Sequence, residues 1–87
     1  MDTQRLDSTG ATTRYYGPTE TRGSRIKVTI NGESKFADYD YAAPNAHVSA
    51  VEEIALYLDY ASVTNVRFVA DSESGRGSVY LFDYLTV

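Results

Sequence analysis

Few residues in this chain have the types and spacing that chemistry needs. Asp38 and Asp40 alternate on an extended segment and therefore share one face. Two carboxylates so placed can hold a metal ion or divide acid–base work on a glycoside. The same pair also serves as a solvated edge that discourages strand-to-strand aggregation. His47 is the single histidine. A general base needs an orienting partner and a nucleophile or substrate pocket, whereas His47 sits beside Asn45 just ahead of a helical segment, where capping or a surface role is the ordinary use. Asp71-Ser72-Glu73-Ser74-Gly75 has the oxygen-rich look of part of a calcium loop, without the spacing or the terminal Glu of an EF-hand. Gly75-Arg76-Gly77 lacks the Lys-Ser/Thr of a phosphate loop. There is no cysteine, hence no thiolate metal site and no disulfide framework. No nucleophile–base–orienter set emerges, so the expectation is a non-enzyme with no cofactor and no metal.

Binding chemistry is better represented. Residues 1–35 carry six cationic and four acidic side chains, and residues 36–87 carry two and eight. Within the acidic part, Asp and Tyr recur as neighbours: Asp38-Tyr39-Asp40-Tyr41, Asp59-Tyr60 and Asp83-Tyr84. Carboxylates beside rigid amphipathic rings suit docking onto a basic protein, and complementary charge speeds such association. Tyr80, Phe82 and Tyr84 recur at period two and form an aromatic stripe. That stripe packs a core or, exposed, makes a protein-binding face or a dimer seam. Base stacking on it would require a basic frame, and its surroundings are acidic. Arg22-Gly23-Ser24-Arg25 with Lys27 is a basic knot suited to phosphate or to an acidic partner, or else to solubilising an outer strand. The net charge of −4 argues against general nucleic-acid binding.

The elements that must position these residues follow from periodicity. Eighty-seven residues make one domain at most. Residues 1–12 have Leu6 and Ala11 as their only apolar anchors after Met1 and read as a disordered tail. Residues 13–24 read as an N-terminal arm, pinned by Tyr15 and Tyr16 and turned by Gly17-Pro18. Residues 25–87 read as a single α+β domain. Arg25 to Ile30 alternates as a half-buried strand, and Asn31-Gly32 supplies a type I′ hairpin turn. That turn pairs Val28 with Lys35 and Ile26 with Ala37, and places Tyr39 and Tyr41 on the isoleucine face. A loop one residue longer would instead put Phe36, Asp38 and Asp40 on that face. The first register is preferred because it keeps the aspartates wet, and it leaves Phe36 on the polar face without an explanation.

Ser49-x-x-Glu52 predicts a helix N-terminus by capping box, with Asn45 as a rival cap one turn earlier. Val51, Ile54, Ala55, Leu58 and Ala61 form its apolar stripe, and the helix is expected to stop near Ala61. Val66–Asp71 and Ser78–Val87 read as strands joined by a turn over Ser72–Gly77. The last strand is apolar on both faces, so it should be central or covered. The expectation is β-β-α-β-β, one helix packed on a four-stranded antiparallel sheet.

Tyr16-Gly17-Pro18-Thr19, continuing through Thr21-Arg22-Gly23-Ser24-Arg25-Ile26-Lys27, together with Asp40-Tyr41-Ala42 leading into Asn45-Ala46-His47, resembles a group of small phage- and prophage-encoded proteins. These share a Gly-Pro-Thr-x-x-Arg-Gly-Ser-Arg-Ile-Lys motif, a Tyr-Asp-x-Ala segment before a helix, and a short aromatic strand at the end. The resemblance covers residues 14–87 and implies a phage or mobile-element accessory protein, a class that often works by binding and disabling a host protein.

Three functional expectations follow, in order. The first is an inhibitor or adaptor, of anti-defence type, using Asp38, Tyr39, Asp40, Tyr41, Asp59, Tyr60, Tyr80, Phe82, Asp83 and Tyr84 against a basic host protein, such as a nucleic-acid-processing enzyme. The second is a homodimer that pairs through its last strand. The third is a nucleic-acid binder using Arg22, Arg25 and Lys27. No apolar stretch reaches the roughly 18 residues needed to span a bilayer, and the polar segment Asp2–Thr13 is not a secretory signal. The expected location is the cytoplasm of a host cell.

Overall fold

A computed structural model describes residues 5–71 and 77–86. Five strands and one helix follow one another as β1 (Arg5–Tyr16), β2 (Arg25–Ile30), β3 (Glu33–Asp38), α1 (Ala46–Tyr57), β4 (Ala61–Asp71) and β5 (Gly77–Thr86). The strands form one antiparallel sheet in the order β3-β2-β1-β5-β4. The α+β class and the single helix on an antiparallel sheet are as expected, but the sheet has five strands where four were expected.

The additional strand is β1. Residues expected as a tail and an arm become the middle of the sheet, paired with β2 through Ala11–Tyr16 and with β5 through Arg5–Arg14. Thr9, Ala11 and Thr13 face the helix, and Ala11 and Thr13 are buried. Small and β-branched side chains suit a strand that lies beneath a helix, because the larger residues of its neighbours fill the space above it. The large fully buried side chains are Phe82, Ile26, Ile30, Val28 and Val51.

The β2–β3 hairpin forms as read from the sequence. Val28 pairs with Lys35 and Ile26 with Ala37. Asn31 and Gly32 both have positive φ, 50° and 81°, as a type I′ turn demands.

The helix starts one turn earlier than Ser49. The Asn45 side chain accepts hydrogen bonds from the amides of His47 (2.9 Å) and Val48 (3.2 Å), which makes Asn45 the N-cap. The Ser49 amide already donates to the Asn45 carbonyl at 3.1 Å. Val51, Ile54 and Ala55 are buried as expected, joined by Ala46 and Ala50. The helix ends at Tyr57 rather than near Ala61. Asp59 adopts φ 68°, its amide donates to the Leu56 carbonyl, and the Tyr60 amide donates to the Ala55 carbonyl. That is a Schellman close with an aspartate in the position that usually takes glycine.

β4 begins at Ala61, five residues before the expected Val66, and its pairing with β5 shifts register three times. Ser62 and Asn65 have positive φ at these irregularities. Such bulges twist an edge strand away from further pairing. β5 lies between β1 and β4, central as its two apolar faces suggested. Of the turn expected over Ser72–Gly77, Gly77 opens β5 and residues 72–76 lie outside the described residues. Arg76 falls there, as does the calcium-loop-like segment apart from Asp71, which ends β4.

Candidate functional site

The ten residues expected to make one acidic aromatic surface, nine Tyr or Asp and Phe82, are divided among three places. Tyr80 and Phe82 lie beneath the helix, 4% and 0% exposed, and belong to the core. They are not available to a partner. Tyr60 packs edge-on against Phe82 and Tyr84, with centroids at 5.3 and 4.8 Å. Its hydroxyl accepts from Asn31 Nδ2 at 2.7 Å, tying the end of the helix to the hairpin turn. Asp59 closes the helix beside it.

Asp83 points to the opposite side of the sheet. Its carboxylate accepts from Ser8 Oγ, Asn65 Nδ2 (3.1 Å) and Arg67 (3.1 Å), and it is nearly buried. The Ser8 hydrogen bond, followed by those from Asn65 and Arg67, holds its pKa below the ordinary value. It is a satisfied internal charge rather than a docking group.

Asp38, Tyr39, Asp40 and Tyr41 lie at the far end of the hairpin. Asp38 pairs in register with Arg25, whereas Tyr60 is bonded near Ile30, so a whole six-residue strand, roughly 17–20 Å, separates the two Tyr/Asp groups. Tyr39 is half-buried among Tyr15 and Tyr41, with ring centroids at 5.7 and 4.7 Å. Asp40 Oδ1 accepts from the Ala42 amide at 2.9 Å and shapes the turn. Tyr41 stands 79% exposed.

Pairing through the last strand is also closed off. β5 has both edges occupied, and the sheet's outer strands are β3 and β4.

The basic residues come together more closely. Helix α1 covers one face of the sheet, and the opposite face has no cover among the described residues. On that open face Arg14, Lys27 and Phe36 form one transverse row, since Arg14 pairs with Lys27 and Lys27 with Phe36. Tyr16, Arg25 and Asp38 form the next row, roughly 7 Å along the strands.

The Arg25 guanidinium lies 5.0 Å from the Phe36 ring centre and 5.6 Å from that of Tyr16. Arg14 lies 5.5 Å from the Tyr16 ring, and the Tyr16 and Phe36 rings meet edge-to-face at 5.3 Å. Cations and rings are therefore interleaved across three strands, held by cation–π attraction. Phe36, left unexplained on the polar face, finds its partner in Arg25. Gly77, opposite Arg14, adds no side chain to this face.

Arg22 lies outside these rows, in the loop that links β1 and β2. That loop is closed by Thr19, whose amide donates to the Arg22 carbonyl (2.7 Å) and whose hydroxyl accepts from the Arg22 amide (3.1 Å).

The sequence reading found Arg25 and Lys27 but missed Arg14, Tyr16 and Phe36. Arg14 and Tyr16 were assigned to an arm. Phe36 could have been placed from the hairpin register alone, because residues opposite one another share a face.

Charge is only partly divided between the faces: Lys35 lies over Tyr57 on the helix side, and Asp83 is held on the open side. Glu52 and Glu53 stand exposed on the helix, away from the sheet, whereas Arg14, Arg25 and Lys27 lie beyond the sheet's other side. One acid, Asp38, shares their part of the face.

His47 Nδ1 is turned inward and pairs with Thr13 Oγ1 at 2.8 Å, and partial burial lowers its pKa. A shallow open depression of about 340 Å³ lies against the first helical turns, lined by Pro44, Val48, Ser49 and Glu52 among others. His47 does not line it. Among the described residues no three His, Asp or Glu side chains gather as metal ligands, and no helix is long and apolar enough to cross a membrane. Comparisons with protein families, with curated proteins and with solved structures find no match to this chain.

Proposed function

We propose that this chain is a non-enzymatic binding protein that holds nucleic acid on the open face of its sheet. One observation carries the reading: Arg14, Tyr16, Arg25, Lys27 and Phe36 are interleaved on a face that the helix leaves uncovered. Phosphates need cations and bases need aromatic planes, and this face supplies both within two rows. The chain's net charge of −4 does not oppose this, because acids such as Glu52 and Glu53 sit across the sheet from it. Arg25 and Lys27 fall inside the segment that resembles phage-encoded proteins, which supports a role in a mobile element.

Three cations make a small footprint. For single strands the logarithm of the affinity should fall with the logarithm of salt with a slope of about −2. The test is fluorescence anisotropy of a labelled oligonucleotide at low salt, with the double variant Arg14→Glu, Lys27→Glu beside the parent. Parental binding that weakens with salt and vanishes in the variant supports the reading. Equal binding by both sinks it.

A second reading draws on the rim at the far end of the hairpin. Asp38, Asp40 and the Tyr15–Tyr39–Tyr41 ring cluster offer a small acidic aromatic edge on which Tyr41 is largely exposed. This is the part of the expected host-protein surface that remains together, and an inhibitor of a basic host protein would dock there. Retention of a host protein that is lost on Tyr41→Ala with Asp40→Asn, and unaffected by charge reversal at Arg14 and Lys27, would favour it.

A further inference from the structure

Resting on the nucleic-acid reading above, we propose that the open face takes a single strand, with one base stacked on Phe36 and the adjoining phosphate held between Arg14 and Lys27.

Two features of this patch are unfavourable in the free protein, and an anion relieves both. Arg14 and Lys27 are direct cross-strand partners. Like charges directly opposite each other destabilise a strand pair. The Arg25 guanidinium, lodged between two rings, buries Nε and Nη1 with no hydrogen-bond partner among the described residues. Buried donors without acceptors are unfavourable, and charged ones more so. A phosphate between Arg14 and Lys27 neutralises the repulsion. Its neighbouring oxygens, or a base carbonyl, supply acceptors for Arg25 once the exposed Phe36 ring shifts.

The single strand follows from the rings. Phe36 is 48% exposed on an edge strand, with Arg25 and Tyr16 against its ring. Bases inside a duplex are already stacked on both sides and offer no plane to it, whereas an unstacked base does. Tyr16 meets Phe36 at an interplanar angle of 70°, so the two rings cannot stack two parallel bases. The patch is therefore built for one base. Lys27 is opposite both Arg14 and Phe36, so cation pair and ring share a row about 10 Å long. A nucleotide spans that from phosphate to base. Any base has a plane to offer, so sequence preference should be slight.

The experiment measures anisotropy at low salt for three labelled probes of one length: an oligothymidylate, the same strand annealed to its complement, and an abasic strand. Each is titrated with the parent, with Phe36→Leu and with Lys27→Gln. Thermal melting of each variant confirms that it folds. The single strand should bind the parent more tightly than either other probe. Phe36→Leu should weaken it roughly five- to a hundred-fold and leave the abasic strand unchanged. Lys27→Gln should weaken the single strand and the abasic strand alike and flatten the salt slope by about 1. Equal binding of duplex and abasic strand would overturn the single-strand proposal while leaving the nucleic-acid reading in place. Absence of binding to every probe would overturn both.

Discussion

Replacing Gly77 by alanine should break the middle of the sheet. Gly77 is buried at the start of β5, paired with Arg14 of the neighbouring antiparallel strand β1. A Cβ there would lie 1.8 Å from the Thr13 carbonyl oxygen, 2.9 Å from its carbon and 3.2 Å from Arg14 Cα. All three are backbone atoms of the central strand and cannot rotate away, so β1 and β5 must separate locally. Overpacking of this kind typically costs about 1–3 kcal/mol, and each lost ladder hydrogen bond adds about 1 kcal/mol. The expected loss is about 3–4 kcal/mol, a large part of the roughly 5–15 kcal/mol that holds a domain together. In a chain of this size it lowers Tm by roughly 12–30 °C.

Gly10→Ala is the matched control. It lies on the same strand pair, but its Cβ would meet nothing closer than 3.8 Å. It should be neutral, or stabilising by up to about 1 kcal/mol through a less flexible unfolded chain. Urea denaturation of the parent and both variants decides the matter. A Gly77→Ala protein within about 1 kcal/mol of the parent would refute the close approach of β1 and β5.

Asp59→Gly should stabilise by about 0.5–1 kcal/mol, read as a raised urea midpoint, because Asp59 closes the helix at φ 68° and glycine adopts that conformation without strain. Asp83 has a lowered folded-state pKa, so its contribution is complete above its ordinary value near 3.8 and is lost as pH falls through the lower folded value. Asp83→Asn should therefore flatten the dependence of the urea midpoint on pH below 4. His47 also has a lowered folded-state pKa. Below its ordinary value of 6.5 the unfolded chain takes up a proton that the folded chain resists, so stability falls as pH drops, and His47→Gln should remove that step.

Much of this fold is legible in the sequence where alternation is strong. Ile26, Val28 and Ile30 with Asn31-Gly32 fixed both the hairpin and its register, and the two apolar faces of Tyr80–Leu85 marked a central strand. β1 carries no such signal. Its helix-facing positions are Thr9, Ala11 and Thr13, and a strand held by backbone pairing on both edges needs no apolar stripe of its own. Leu6 and Ala11 alone therefore read as a tail.

The helix start depended on choosing between two good caps. Asn45 prevailed over Ser49, and the earlier start buries Ala46 and Ala50 against the sheet. The helix end was set by a left-handed residue, Asp59, that composition does not announce. The same gap obscured the candidate site. With residues 13–24 read as an arm, Arg14 and Tyr16 had no face to belong to. Period-two aromatics at Tyr80 and Phe82 could not reveal which side the helix would cover.

The most direct test of the central claim is an amide chemical-shift map of the labelled protein on addition of a short oligothymidylate at low salt. The account predicts that the largest changes fall on Arg14, Tyr16, Arg25, Lys27 and Phe36, with Glu52 and Glu53 on the far side unmoved. Changes centred instead on Tyr39, Asp40 and Tyr41 or on the helix, or no changes at all, would contradict it.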